Sequence, residues 1–391
     1  MLVRCGIPDF NFLTPPHVMF LYLGRRGSGR FTLELARCIA ELAHVRATFC
    51  VSRQTELFQE FAGLTCRVLP VDTFEGAGGA LARGYRVRTL YRNVLCELTH
   101  QRSAGVVTLM PHIWTPLFAP LIRNHGFRYL SVIHDTRAHP GDQSSLLNGW
   151  ALRDALNADP VITLSRSVAD TLCASGAVAR DKLVTLFHPD LQFGTTQPAP
   201  ADSGPFRVLS FGRNLACKGL TMLVEAMEML RAEGLPAQLG VFGDAPLGPL
   251  RARLDALGAE VQNRRIADRE VGAIFARHHA VALSPHQCSQ SDVAAIALGA
   301  GRPLVGCAAG GLAELICDGK TGVLAERPHP ASLAAAIRRL ATDAKLYDDI
   351  RAHVRRSAWE RSMRRFAEHL VALATAAQPT ASPDRQELTW V

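Results

Sequence analysis

The sequence predicts an α/β protein built from two doubly wound domains with a cleft between them. Three observations carry this. Short apolar runs alternate with segments of helical period through both halves of the chain. A stretch at 194–205 (Gly-Thr-Thr-Gln-Pro-Ala-Pro-Ala-Asp-Ser-Gly-Pro) separates the halves, with three prolines and no apolar periodicity. Glycine-rich turns follow the apolar runs, where doubly wound sheets bind ligands beyond the carboxyl ends of their strands.

The first half opens with a strand at 18–23, then the glycine loop Gly24-Arg25-Arg26-Gly27-Ser28-Gly29. A helix follows, with Phe31, Leu35, Ile39 and Leu42 on one face. Strands are expected at 45–51 and 66–71. Val87, Leu90, Val94 and Leu98 mark a long helix, and strands follow at 106–110, 129–133, 161–164 and 183–187. After the linker come strands at 206–211, 238–242, 260–262, 280–283 and 303–306. Helices are expected to start near Leu220, Leu247, Asp268, Val293 and Leu312, the last ones running to about Ala377. The division is therefore 1–193, linker 194–205, 206–357, a helix at 358–377 returning to the first domain, and a loose tail at 378–391.

Composition bounds the function. The chain has 391 residues, 48% of them apolar and 20% charged, which supports two cores and argues against disorder. The net charge is +8, but arginine is dispersed and no basic helix carries interleaved aromatics, so nucleic acid is not an expected partner. Ten cysteines show no Cys-x-x-Cys spacing and read as small buried hydrophobes of a reducing compartment. No His/Cys cluster has zinc spacing, and His278-His279 reads as a helix end. No signal peptide or spanning segment is evident, so a cytoplasmic protein is expected. Its basic surface keeps open a peripheral contact with the inner face of a membrane.

The chemistry concentrates after 206–211. Gly212-Arg213-Asn214-Leu215-Ala216-Cys217-Lys218-Gly219 joins that strand to a helix, placing two cations and free N–H groups where a diphosphate can sit. Phe242-Gly243-Asp244, Ser284-Pro285, Ala300-Gly301-Arg302-Pro303, Gly310-Gly311-Leu312-Ala313-Glu314 and Asp318-Gly319-Lys320-Thr321-Gly322 follow in order. This order resembles glycosyltransferase family 4, the retaining transferases with the GT-B fold of two Rossmann-like domains. The resemblance is strong over about 205–345 and looser before it.

The resemblance implies a nucleotide-sugar donor, a glycan or lipid-linked acceptor, and no cofactor. It places Arg213, Lys218 and His134 in the catalytic set. Donor contacts are implied for Gly27, Ser28, Gly29, Gly212, Gly243, Ile266, Ser289, Gln290, Ser291 and Val293. His112 and Ser165 also fall at positions where the family carries His and Ser. No Asp-x-Asp pair is present, so no obligatory metal is expected. The chain departs from the family at its paired glutamates, where Cys288 and Ile296 stand. Ser289-Gln290-Ser291-Asp292-Val293, with His188-Pro189, resembles a Ser-Gln-Ser-Gly-Val variant of that loop, with Asp292 in the glycine position. Asp292 is expected to cap the helix that starts there. The lost glutamates keep a second reading open: an inactive GT-B protein acting as a binding or regulatory partner. Epimerase or phosphorylase chemistry finds neither the acids nor the lysine it needs.

Overall fold

The computed structural model describes residues 14–25, 28–74, 79, 82–136, 149–150, 152–194, 204–212, 219–244, 246–283, 291–308 and 311–376. Among them two parallel sheets stand out. The first has seven strands: β1 (His17–Tyr22), β2 (Arg46–Ser52), β3 (Arg67–Val71), β4 (Ser103–Thr108), β5 (Arg128–Ile133), β6 (Val161–Thr163) and β7 (Leu183–Thr185), in the order β3-β2-β1-β4-β5-β6-β7. The second has six: β8 (Phe206–Phe211), β9 (Ala237–Gly243), β10 (Glu260–Asn263), β11 (Ala280–Leu283), β12 (Leu304–Cys307) and β13 (Gly322–Ala325), ordered β10-β9-β8-β11-β12-β13. Both orders reverse beside their first strand, so the switch points fall at β1/β4 and β8/β11.

The strands read as unbroken apolar runs because helices cover both faces. Every residue of β1 is buried. Its Met19 and Leu21 join a cluster with Leu90, Val94 and Leu98 of α3 (Arg86–Gln101) and with Phe118 and Ile122 of α4 (Thr115–Asn124). Its Val18, Phe20 and Tyr22 face the other way, toward Phe31, Leu35 and Ile39 of α1 (Gly29–Ala40). The short α2 (Phe58–Ala62), α5 (Asp154–Asn157) and α6 (Arg166–Ala174) complete the first half. In the second half, β8 to β13 alternate with α7 (Leu220–Ala232), α8 (Leu250–Ala256), α9 (Asp268–Ala276), α10 (Asp292–Gly299) and α11 (Leu312–Leu315). Then come α12 (Pro330–Thr342), α13 (Ala344–Arg356) and α14 (Met363–Thr375).

The chain passes between the sheets twice. On the first pass, Asp190 N–H donates to Arg361 O at 2.7 Å and Leu191 N–H to Ala295 O at 3.2 Å. This segment lies so close to α9 and α10 that a Cβ at Gly272 would sit 2.0 Å from Phe193 O, and one at Gly299 2.5 Å from Leu191 O. On the second pass, Arg361 clamps Asp190 with contacts of 3.1 to 3.2 Å. α14 then packs on α1, β1, β4 and β5, its Phe366 ring 5.5 Å from Phe31.

Four details differ from the sequence reading. β13 is a strand, although its residues read only as a motif. α8 starts at Leu250 rather than near Leu247, because Gly248 is left-handed (φ +49°) and Pro249 caps the helix. α14 ends at Thr375. The Gly301 and Gly319 turns precede β12 and β13, so they lie at the amino ends of strands, away from the ligand-facing edge.

Candidate functional site

The carboxyl ends of β8 and β9 form a pinch. Gly212 follows β8 at φ +100° and its N–H donates to Phe242 O at 2.9 Å. Gly243 ends β9 at φ +151°, and a Cβ there would lie 1.6 Å from Gly212 O. Only glycine fits both requirements. A Cβ on Gly212 would lie 3.5 Å from Val293 Cγ2. The predicted Gly212, Gly243 and Val293 are thus brought together at the carboxyl edge of the second sheet, beside its switch point. Ile266, also predicted, is half-buried and packs against the core just before α9.

The start of α10 corrects one expectation. Ser291 Oγ, not Asp292, caps the helix, accepting from Ala294 N–H at 3.2 Å. A residue one place inside the helix cannot cap it, because its own φ/ψ are already helical. Asp292 instead turns outward, and its Oδ1 lies 3.0 Å from His188 Nε2. Ile296 is 7% exposed and belongs to the core.

In the first half, Ser28 sits at the N-cap position of α1 without a side-chain cap bond, and its carbonyl accepts from Thr32 N–H at 2.9 Å. Gly29 opens α1; a Cβ there would lie 3.1 Å from Tyr22 Oη, which leaves the loop hugging the end of β1. His134, just past β5, donates from Nε2 to Leu109 O at 2.9 Å and meets the Phe31 ring at 4.9 Å. Burial pulls its pKa down to about 4, with His188 adding to that and Asp292 opposing it. His134 is therefore a neutral imidazole with Nδ1 left as an acceptor. His112 serves the β4–α4 turn: its Nδ1 accepts from Trp114 N–H at 3.2 Å, and burial lowers it to about 4. Ser165 caps α6, accepting from Val168 N–H at 3.2 Å. The predicted Gly27, Arg213, Lys218, Ser289 and Gln290 lie outside the described residues, as does Cys288.

Contacts across the cleft were not anticipated. Arg30 of α1 approaches Asp268 of α9 at 3.7 Å, stacks over Phe193 and donates to Gln192 O. Glu56 meets Arg265 beside Ile266. Glu314 of α11 accepts from Arg166 and Ser167 N–H, both at 2.9 Å, so a carboxylate of one half sits on a helix N-terminus of the other. The carboxyl edges of the two sheets therefore face each other. A cavity of about 470 Å³ opens between them, lined by Ser165, Phe187, His188, Glu314, Arg361 and His369 among others. Sequence reasoning missed these pairs because each partner is an ordinary charged surface residue until the two halves meet. The position of Glu314 in its double-glycine motif was the one available signal.

A family model described as glycosyl transferases group 1 matches residues 205–343. D-inositol 3-phosphate glycosyltransferase of Xylanimonas cellulosilytica is 32% identical over 386 residues, covering 85% of this chain and 88% of that protein. Glycogen synthase of Mycobacterium tuberculosis is 30% identical over 275 residues, 63% of this chain and 61% of its own length. Among solved structures, Anabaena Alr3699/HepE in complex with UDP and glucose superposes with a TM-score of 0.69 at 18% identity, covering 91% of this chain and 98% of that one. WaaG, described as a glycosyltransferase involved in lipopolysaccharide biosynthesis, superposes at 0.60 and 16% identity, over 92% and 100%. These structures share the GT-B arrangement of two parallel sheets. No helix among the described residues is long and apolar enough to cross a membrane.

Proposed function

The chain belongs to the group 1 glycosyl transferases, and we propose that it moves a sugar from a nucleoside-diphosphate donor to an acceptor hydroxyl with retention of configuration. The observation that carries this reading is the Gly212–Gly243 pinch. Two strand ends stripped of side chains lie beside Val293 and the first turn of α10, next to the switch point and facing the other sheet. A diphosphate needs that close approach to backbone N–H groups.

In this reading the leaving diphosphate takes the acceptor proton on the face where the new bond forms. Arg213 and Lys218 stabilise the charge that grows on the leaving oxygen, helped by the N–H groups of the 289–293 loop. His134 acts by position: its Nε2–H is spent on Leu109 O, and Nδ1 accepts from a sugar hydroxyl. Ser28 and Gly29 border the donor from the first domain, and the base lies along the segment that ends in Ile266. The acceptor is a glycan or lipid-linked glycan of bacterial polysaccharide or glycoconjugate synthesis, held by the first domain. A lipid-linked acceptor would bring the basic chain to the inner membrane surface.

Ile296 supports a second reading. It is buried where the family places a ribose-holding glutamate and cannot hydrogen-bond ribose, so the protein would be an inactive GT-B protein acting as a binding or regulatory partner. One experiment separates the two. Thermal shift is measured against UDP, GDP and ADP, with UDP first because HepE was captured with it, and repeated with Arg213→Ala and Lys218→Ala. A transfer assay then follows with the matching nucleotide sugars. Transfer requires that each variant lose about 2–4 kcal/mol of barrier lowering. Binding without turnover favours the second reading, and no shift with any nucleotide refutes the first and leaves the second with a protein partner in place of a nucleotide.

A further inference from the structure

Asp292 stands in the glycine position of a loop proposed to hold diphosphate, where a bare carboxylate would repel the ligand. Its neighbour resolves the conflict. His188 is 4% exposed on the first pass between the sheets. Its Nδ1 lies 2.9 Å from Pro189 O and its Nε2 3.0 Å from Asp292 Oδ1. Neither a carbonyl oxygen nor an ionised carboxylate has a proton to give, so both contacts are hydrogen bonds together only if the ring carries two N–H groups. We propose that His188 is a positioning residue for donor binding: as an imidazolium it holds the Asp292 carboxylate against the inter-domain segment and cancels its charge, keeping the start of α10 attractive to a nucleoside diphosphate.

The surroundings fit this role. α1 contributes the edge of Phe31, 5.9 Å from the His188 ring. His134, past β5, is neutral through burial and adds no competing charge. Asp190, two residues on, is engaged by Arg361 from the second pass. Across the cavity that His188 lines, Glu314 is spent on the α6 N-terminus, while Arg166 and His369 stand on the rim. Asp292 is the carboxylate bonded to the ring. The pair also ties the first turn of α10 to the segment that joins the two domains.

The inference rests on the proposed donor site, and the test keeps the two apart. Affinity of the full chain for UDP is measured by calorimetry at neutral pH, with GDP and ADP as alternatives, for the native protein, His188→Gln, Asp292→Asn and the double variant. Removing the cation while leaving the carboxylate should weaken binding about tenfold, the scale of one like charge facing the ligand at moderate effective dielectric. Asp292→Asn, an exposed neutral change, should bind at least as well as the native protein. It should also rescue His188→Gln in the double variant. Nitrogen NMR of histidine-labelled protein, with His188→Gln for assignment, should show both ring nitrogens of His188 protonated. A loss in His188→Gln that persists in the Asp292→Asn background would mean that the ring acts by packing alone, overturning the inference. Tenfold weaker binding by Asp292→Asn, or a singly protonated ring, would overturn it too. If the native protein binds none of the three nucleotides, the donor-site reading falls and takes this inference with it. If it binds but the cycle shows no coupling, only the inference falls.

Discussion

Gly243→Ala is the most telling change at the pinch. The new Cβ would start 1.6 Å from Gly212 O. A tolerable contact needs about 3.0 Å, so the two strand ends must part by roughly 1.4 Å. That separation threatens the 2.9 Å bond from Gly212 N–H to Phe242 O. The residue is also held at φ +151°, a conformation open to glycine and costly to alanine. Backbone strain of about 1–3 kcal/mol and a similar cost for overpacking give roughly 2–6 kcal/mol in total. This is a large share of the ~5–15 kcal/mol that holds an ordinary domain together. Gly301→Ala is the control. Its φ is +70° but a Cβ there meets nothing within 4 Å, so it carries only the left-handed cost of about 1–2 kcal/mol. Chemical and thermal unfolding of both variants, with UDP affinity measured beside them, tests the reasoning. Gly243→Ala should lose clearly more stability than Gly301→Ala and should bind UDP more weakly, whereas Gly301→Ala should keep its affinity. Equal losses would show that the pinch exacts no steric demand and that only φ matters.

Other expectations concern the junction and the buried titratable groups. Gly272→Ala should cost about 1–3 kcal/mol, because its Cβ would sit 2.0 Å from Phe193 O on the inter-domain segment; an unchanged unfolding midpoint would refute that close approach. Glu314→Ala removes the carboxylate from the α6 N-terminus and should cost about 0.5–2 kcal/mol, with faster hydrogen exchange at the Arg166 and Ser167 amides; unchanged exchange there would refute the latch. Acid should destabilise the protein. His17, His112, His134 and His278 are each lowered from 6.5 to about 4, chiefly by burial, so the unfolded chain binds more protons in that window and stability falls as pH drops through it. Asp154 and Asp190 are raised from 3.8 to about 6, also chiefly by burial, and oppose this by gaining stability as pH falls. Four groups against two leave about two net protons, or roughly 2.7 kcal/mol per pH unit near pH 5. Denaturant midpoints that stay flat between pH 6 and 5 would refute the balance.

The two-domain α/β architecture was legible because buried parallel strands and amphipathic helices write periodicities that need no partner to be read. β1 and α1 fell within a residue or two of their predicted places for that reason. The turn glycines were legible as well: Gly212 and Gly243 are short-range backbone requirements, and a strand ending in glycine is visible in the letters. β13 was lost because four residues inside a motif are too few to show a period. The Asp292 cap was misplaced by one position because Ser291 and Asp292 are both good capping residues, and only the helix register chooses between them.

The pairings decided by tertiary structure are of another kind. Motifs mark Glu314 and His188 in the sequence, but no local pattern names the partner of either, or of Asp190, since each acquires one only when the two sheets are brought edge to edge. Gly272 and Gly299 look like poor helix residues in the sequence. In the folded protein they are the places where a crossing backbone comes within reach of a helix. The strands, the helices, the order of the glycine turns and the family resemblance could be read from the letters, because these depend on neighbours a few residues apart. Tertiary structure alone decided which charges are neutralised, which histidines stay uncharged and which carboxylate seals which helix, because burial and Coulomb energy depend on distances that chain separation does not set.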